Sequence, residues 1–413
     1  MSSVGDRALV VPEHDAGEAL RSIASVGLLV LIFTIPWENV VEFSSLGTLS
    51  RVVGLGVGAL WIVAVLATDR VRAPSPAVAA AFLFVVWGVV SLFWTVDVDA
   101  TVARSITYIQ LMLLVYVVWD LVLDREQFSR AVGAYLLGSW VTLGVLFYQA
   151  ASFGLTGWDE RFTIGTFQPD DLGLVLALCI PIAAYVAVND PPRFRPVMRF
   201  LGALYVPAAL AGILLSGSRA ALAAALPGVI YAGICWLRRA VGRRALTIGV
   251  LLAAVVVTAP LIPTVTLQRV TTVSNDPIEG FLNGRGIVWR EAYATFQAHP
   301  VIGVGSGAFR AKDAGRVARN SAGKVAHDFT LQFWAELGLI GWALFMTMLV
   351  LLLLSIARQP RWLRGLWLST VLTWVIGASF YNFADRKQTW VLFALAMAAG
   401  SLLDRSPGTE GVD

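Results

Sequence analysis

Charge is scarce in this chain. Only 14% of its 413 residues are Asp, Glu, Lys or Arg, against roughly 25% in soluble domains. Hydrophobic residues make up 57%, and mean hydropathy is +0.73. That balance excludes a soluble globular class. Cysteine is scarce too: Cys179 and Cys235 are the only two, and each falls in a separate apolar run. They read as small hydrophobes, with no disulfide expected. Histidine numbers three, and two of them, His299 and His327, share one polar stretch, Asn283–Trp342. The first 20 residues are polar and no small-residue cleavage site follows the first apolar run, so no cleavable signal is expected.

What is present is a series of long apolar runs, at about 23–41, 46–67, 77–94, 104–122, 131–152, 171–188, 200–215, 220–237, 245–263, 329–356, 366–381 and 388–403. Runs of this length read as transmembrane helices. The expected fold is therefore all-α and polytopic, with about 12 membrane helices. In domain terms these are a tail over 1–22, nine helices within 23–263, a large loop over 264–328, three helices within 329–403 and a tail over 404–413. With the N-terminus in the cytoplasm, the short loops falling inside (DRVRAPS, LDREQFSR, NDPPRFRPVMR, RRAVGRR, ARQPRWLRG) are all basic. The outer ones, such as VEFSS and WTVDVDAT, carry almost no Lys or Arg. Positive residues stay inside, so both termini are expected in the cytoplasm and the 264–328 loop outside.

Arginines on the outer side run against that bias. Arg51, Arg104, Arg161, Arg219 and Arg285 all do so. Any one alone is equally well read as an interfacial side chain snorkelling to headgroups or pairing with a carboxylate such as Glu160. Five on one side point to an outward-facing site for an anion, because guanidinium suits bidentate phosphate contacts.

Within the large loop, Trp289, Tyr293 and Phe296 recur at helical spacing, which predicts an amphipathic helix ended by His299-Pro300. Gly303, Gly305 and Gly307 then predict a flexible turn; without a preceding strand, GVGSG is no dinucleotide fingerprint. His327 precedes Asp328, a natural N-cap for the helix over 329–356. Free N–H groups at that helix start favour a nearby anion, and an ordinary imidazole pKa of about 6.5 allows His327 to accept a proton at neutral pH. A solvated interfacial histidine is the plainer reading of the residue by itself. Glu336, about two turns deeper, needs a cation, and an ion pair with Arg51 (or Arg104, at comparable depth) is expected. Gly338 and Gly341 read as helix-packing positions. Asp97-Val98-Asp99 and Asp170-Asp171 have the form of metal-holding pairs, yet acids at helix starts are expected from the dipole alone; no metal ligand is assigned.

The span GRGIVW, HPVIGVGSGAF, AHDFTLQFWAELGLIGW resembles the signature of the O-antigen ligase and polymerase superfamily, and LSGSRAAL with the stretch from Arg161 to GTFQPDDLGL resembles its upstream arginine segments. Asp170 or Asp171 stands where the family usually has Asn. The resemblance implies a GT-C-like fold and a metal-independent, inverting glycosyltransferase of the cell envelope that needs no cofactor. The implied donor is a glycan on undecaprenyl diphosphate at the outer face of the plasma membrane. The implied acceptor is a glycan, lipid or protein hydroxyl, with the bilayer as the other partner and no nucleic acid. His327 matches the family's catalytic histidine; Arg219 and Arg285, with Arg161 and Arg104 beside them, would hold the diphosphate. Ligase and polymerase both remain open. A lipid-linked oligosaccharide flippase is the alternative, but it predicts internal repeats and midplane charges, which the sequence does not display.

Overall fold

The structure, a computed structural model, describes residues 13–43, 47–152, 162–188, 196–237, 285–310 and 326–402. Over these residues the chain forms twelve α-helices: α1 (Glu13–Thr34), α2 (Leu49–Thr68), α3 (Pro76–Val90), α4 (Val98–Leu121), α5 (Arg125–Ser152), α6 (Pro169–Val188), α7 (Pro196–Ser216), α8 (Arg219–Leu237), α9 (Arg285–Ala298), α10 (Phe329–Ala357), α11 (Arg361–Ala378) and α12 (Lys387–Ser401). The one sheet among the described residues is a ribbon of Glu42–Phe43 against Gly47–Thr48.

Nine of the described helices are long and apolar enough to cross a membrane: α1 to α8 and α10. The protein is a multi-pass, all-α membrane protein. The apolar runs coincide with α1–α8 and α10–α12, while 245–263 and the two tails lie outside the described residues except for 13–22, which begin α1. α12 has 15 residues, short of the roughly 20 that a straight span takes.

α6 is the axis of the bundle. Its window is 94% buried, because LGLVLALCIPIAAYVAV is apolar all round and α5, α7, α8 and α11 each find a face on it. Small residues set that spacing: a Cβ on Gly202 of α7 would lie 2.6 Å from the Ala183 carbonyl oxygen. In a bilayer such close approach, rather than water exclusion, holds helices together.

Two polar ends close the bundle. At one, the fully buried Asp120 accepts from Arg21 Nη2 (2.7 Å), Trp61 Nε1 (2.9 Å) and the Arg72 backbone N–H (2.7 Å), tying the α2–α3 turn to α1 and α4. The other end carries the turns at 35–48, 91–97, 216–219 and 379–386, together with the start of α10. It is hereafter the site end.

Candidate active site

The site end is built on a helix that does not run straight. Asp328 caps α10, accepting from the Leu331 N–H at 2.8 Å, as its residue type dictates. Ten residues on, Gly338 has φ +66° and ψ −166°, and the helix breaks. Inside a bilayer each backbone group freed by a break must find a partner, and the segment 300–305 supplies most of them. The Val304 and Gly305 N–H groups donate to the Ala335 and Glu336 carbonyls (3.0 and 2.9 Å). On the far side of the break, the Leu339 and Ile340 N–H groups donate to the Pro300 and Val301 carbonyls (2.9 and 3.3 Å). Trp87 Nε1 takes the Leu337 carbonyl (3.1 Å).

The glycine-rich segment is thus a docked strap, not the flexible turn its composition predicts. Its other edge is held as well: Val96 N–H donates to the Val304 carbonyl (3.0 Å), and Ser306 N–H donates to Ser91 Oγ (3.0 Å). Gly338 serves the strap's backbone rather than a neighbouring helix.

His327 lies just before this broken helix, half-buried, with φ +52°. A non-glycine residue in the left-handed region is uncommon and collects at functional sites. Its surroundings are fixed. Ala326 N–H donates to Gln332 Oε1 (2.9 Å), and the Ala326 carbonyl accepts from Trp289 Nε1 (2.8 Å). Gln332 Nε2 in turn donates to Glu336 Oε1. Burial pushes the Asp328 carboxyl up, against the pull of the Leu331 and Thr330 N–H groups.

α9 is the helix expected in the loop. It leans on α10 through buried Val288 and Ala292 and through Phe296 stacked on Trp334 (centroids 5.1 Å apart), while Tyr293 stays exposed. The buried face is therefore one residue off the aromatic stripe seen in the sequence.

The arginines have unlike settings. Arg104 forms an ion pair with Asp385, and Gly307 of the strap abuts its side chain. Arg219 opens α8 directly after Ser218, whose buried Oγ caps Ala221 N–H and shares a 2.7 Å hydrogen bond with Tyr381 OH. Arg285 begins α9, and Arg161 lies outside the described residues. Glu336 is buried, and its backbone carbonyl accepts the Gly305 N–H of the strap at 2.9 Å. Among the described residues it has no ion pair with Arg51. Arg51 instead lines an apolar groove together with Leu31, Leu55, Val57, Leu111 and Leu114. Arg104, the other candidate, has its ion pair with Asp385, and the Glu336 carboxylate takes the Gln332 amide of its own helix.

Sequence reasoning passed over Asp385–Gln388, where four successive residues each reach a different part of the bundle. Asp385 pairs with Arg104 of α4, and Arg386 pairs with Asp171 of α6 at 2.9 Å. Lys387 Nζ donates to Glu38 (2.6 Å), Ser50 (2.8 Å) and Thr48 (3.0 Å), which uses all three ammonium protons. Gln388 Nε2 donates to the Ile35 carbonyl (2.9 Å) and Glu38 Oε1 (3.1 Å). A signal existed: Arg386-Lys387 falls in a loop that the alternation assigns to the outside. Lys387→Met is expected to cost about 3 kcal/mol, the lower end for breaking a buried pair, because the lysine side chain keeps 22% exposure. Thermal unfolding in detergent measures it.

The acidic pairs have structural tasks. Asp97 caps α4 through Ala100 N–H (3.0 Å), and Asp171 holds Arg386. Among the described residues no group of three His, Cys, Asp or Glu side chains could hold a metal ion.

The family model for O-antigen ligase matches residues 204–346. That span takes in Arg219, Arg285, the strap, His327 and the break at Gly338, and leaves out Arg51, Arg104 and Asp385–Gln388. A search of curated proteins finds no match.

Proposed function

Because that match supports an O-antigen ligase/polymerase family, we propose that the protein is a glycosyltransferase moving a glycan from undecaprenyl diphosphate to an acceptor hydroxyl. The site end faces outward across the plasma membrane, with both termini in the cytoplasm. The observation that carries the reading is His327, a histidine held in a left-handed conformation immediately before the N-cap of a broken membrane helix.

In this reading His327 removes the acceptor hydroxyl's proton while the acceptor oxygen attacks the anomeric carbon. The bond from that carbon to the diphosphate oxygen breaks, and the electron pair leaves with the diphosphate, which inverts the configuration. General-base assistance of this kind contributes roughly 10²–10⁴-fold. Arg219 and Arg285, with Arg161, bind the diphosphate and stabilise its growing charge, a task suited to fixed guanidinium groups in a water-poor site. Arg104 contributes charge to the same end while held by Asp385. The apolar side chains beside Arg51 offer a lining suited to part of an isoprenoid chain.

The test is transfer in vitro by purified protein from a synthetic undecaprenyl-diphosphate glycan, with and without EDTA. Product is expected under both conditions. A ladder of lengths identifies a polymerase and a single transfer identifies a ligase. Absence of any product, with lipid movement between leaflets of liposomes, would replace this reading with a flippase.

A further inference from the structure

His327 sits between two anchored pieces of backbone. Before it, Ala326 is held by both of its backbone groups: its N–H by Gln332 Oε1 and its carbonyl by Trp289 Nε1. After it, Asp328 caps α10, and its carbonyl accepts the Gln332 N–H at 3.0 Å. With the preceding peptide plane and the following helix start both held, the φ of +52° at His327 is maintained, and the direction of its Cα–Cβ bond is set.

The clamp has a second layer. An unanchored Gln332 amide could turn over and present its NH₂ to Ala326 N–H, donor against donor. Glu336, one turn further along the same face, removes that freedom by accepting from Gln332 Nε2. Glu336 is itself buried at 1% exposure, and its backbone carbonyl is held by the Gly305 N–H of the strap at 2.9 Å. A chain of contacts therefore runs from the strap through Glu336 and Gln332 to the residue before His327, and α9 closes it from the other side through Trp289. All three side chains are buried or half-buried, and each carries one hydrogen bond that matters for this geometry.

We infer that Trp289, Gln332 and Glu336 are positioning residues that aim His327. The inference rests on the reading of His327 as the base. None of the three touches the reacting atoms; they act through the backbone at Ala326. Glu336 serves as a hydrogen-bond acceptor, so its charge is dispensable. This separates it from a buried carboxylate that takes a proton in the reaction.

The experiment measures kcat and donor KM for Trp289→Phe, Gln332→Met, Glu336→Gln and Glu336→Leu, with thermal unfolding of each. Trp289→Phe keeps the ring and removes only the N–H. A loosened base loses rate and leaves donor binding alone, and a misplacement near 1 Å can cost about 10²-fold. The expected result is a fall in kcat of about 10- to 100-fold for Trp289→Phe and Gln332→Met, with donor KM within about twofold. Glu336→Gln, which can still accept from Gln332 Nε2, retains most of the rate, and Glu336→Leu does not. Wild-type kcat in both Trp289→Phe and Gln332→Met would overturn the inference, as would equal losses in Glu336→Gln and Glu336→Leu. A shift in KM and melting temperature at unchanged kcat would also overturn it, by reducing these residues to structural supports. His327→Ala, run in parallel, keeps the two claims apart. If it retains full activity the base assignment fails; if it is inactive while Trp289→Phe is normal, only the clamp fails.

Discussion

His327→Ala is expected to lower glycan transfer by about 10²–10⁴-fold, the usual contribution of general-base assistance, while the protein still folds and inserts. Local backbone geometry makes a sharper version available. His327 has φ +52°, a conformation that costs an L-residue roughly 1–2 kcal/mol and costs glycine almost nothing. His327→Gly should therefore abolish transfer and at the same time raise thermal stability, or at least leave it unchanged. Alanine carries the same strain as histidine, so the alanine variant should melt near wild type. Activity and melting temperature moving in opposite directions in the glycine variant is the signature of strain retained for function. The pair of measurements is transfer rate and unfolding midpoint on the same detergent-purified samples. Full transfer by either variant would remove His327 from the mechanism, and the remaining polar groups at the site end would have to supply another base.

Much of the fold was legible because membrane helices are written locally. Apolar runs of the right length announce α1–α8 and α10, and Asp328 announces its own cap through the chemistry of one carboxylate and one N–H. What escaped was every feature whose cause lies far along the chain. LGLIGW reads as continuous helix, and only the strap some 35 residues earlier makes a break at Gly338 tolerable. GVGSG reads as flexible because glycine permits many conformations; it is rigid here because Ala335, Glu336 and Ser91 hold it. Depth matched Glu336 to Arg51 and Arg104, yet its carboxylate takes Gln332 of its own helix while Arg104 pairs with Asp385, a residue far along the chain. The role of Asp385–Gln388 escaped for the same reason. Its pattern looks like a short polar turn, and its meaning lies in partners on other elements, Glu38, Arg104 and Asp171.

Gly338→Ala is expected to be the most damaging single-methyl substitution at the site end. The backbone there, φ +66° and ψ −166°, belongs to a region essentially closed to residues with a Cβ, at a cost of about 1–3 kcal/mol. The added Cβ would also lie 2.3 Å from the Val301 carbonyl oxygen, 2.4 Å from its carbon and 2.5 Å from the Ile302 nitrogen. These are main-chain atoms, and the strap cannot retreat while Val304 and Gly305 remain bonded to α10. Together the two effects place the cost at about 4 kcal/mol or more, in the exceptional class for one substitution. The chain has an escape: α10 can run straight through position 338, satisfy its own N–H and C=O groups and expel the strap. Helix content would then hold or rise, while hydrogen exchange over 299–309 accelerates and transfer is lost, because the Glu336 carbonyl forfeits the Gly305 N–H and His327 its clamp. Contact at the break is mutual, since a Cβ on Gly303 would lie 2.3 Å from the Glu336 carbonyl. Gly303→Ala should therefore reproduce the same exchange pattern, and the double variant should cost little more than either single one. Slow exchange over 299–309 in Gly338→Ala would mean that the strap does not depend on the break, and simple additivity in the double variant would mean that the two glycines do not face each other.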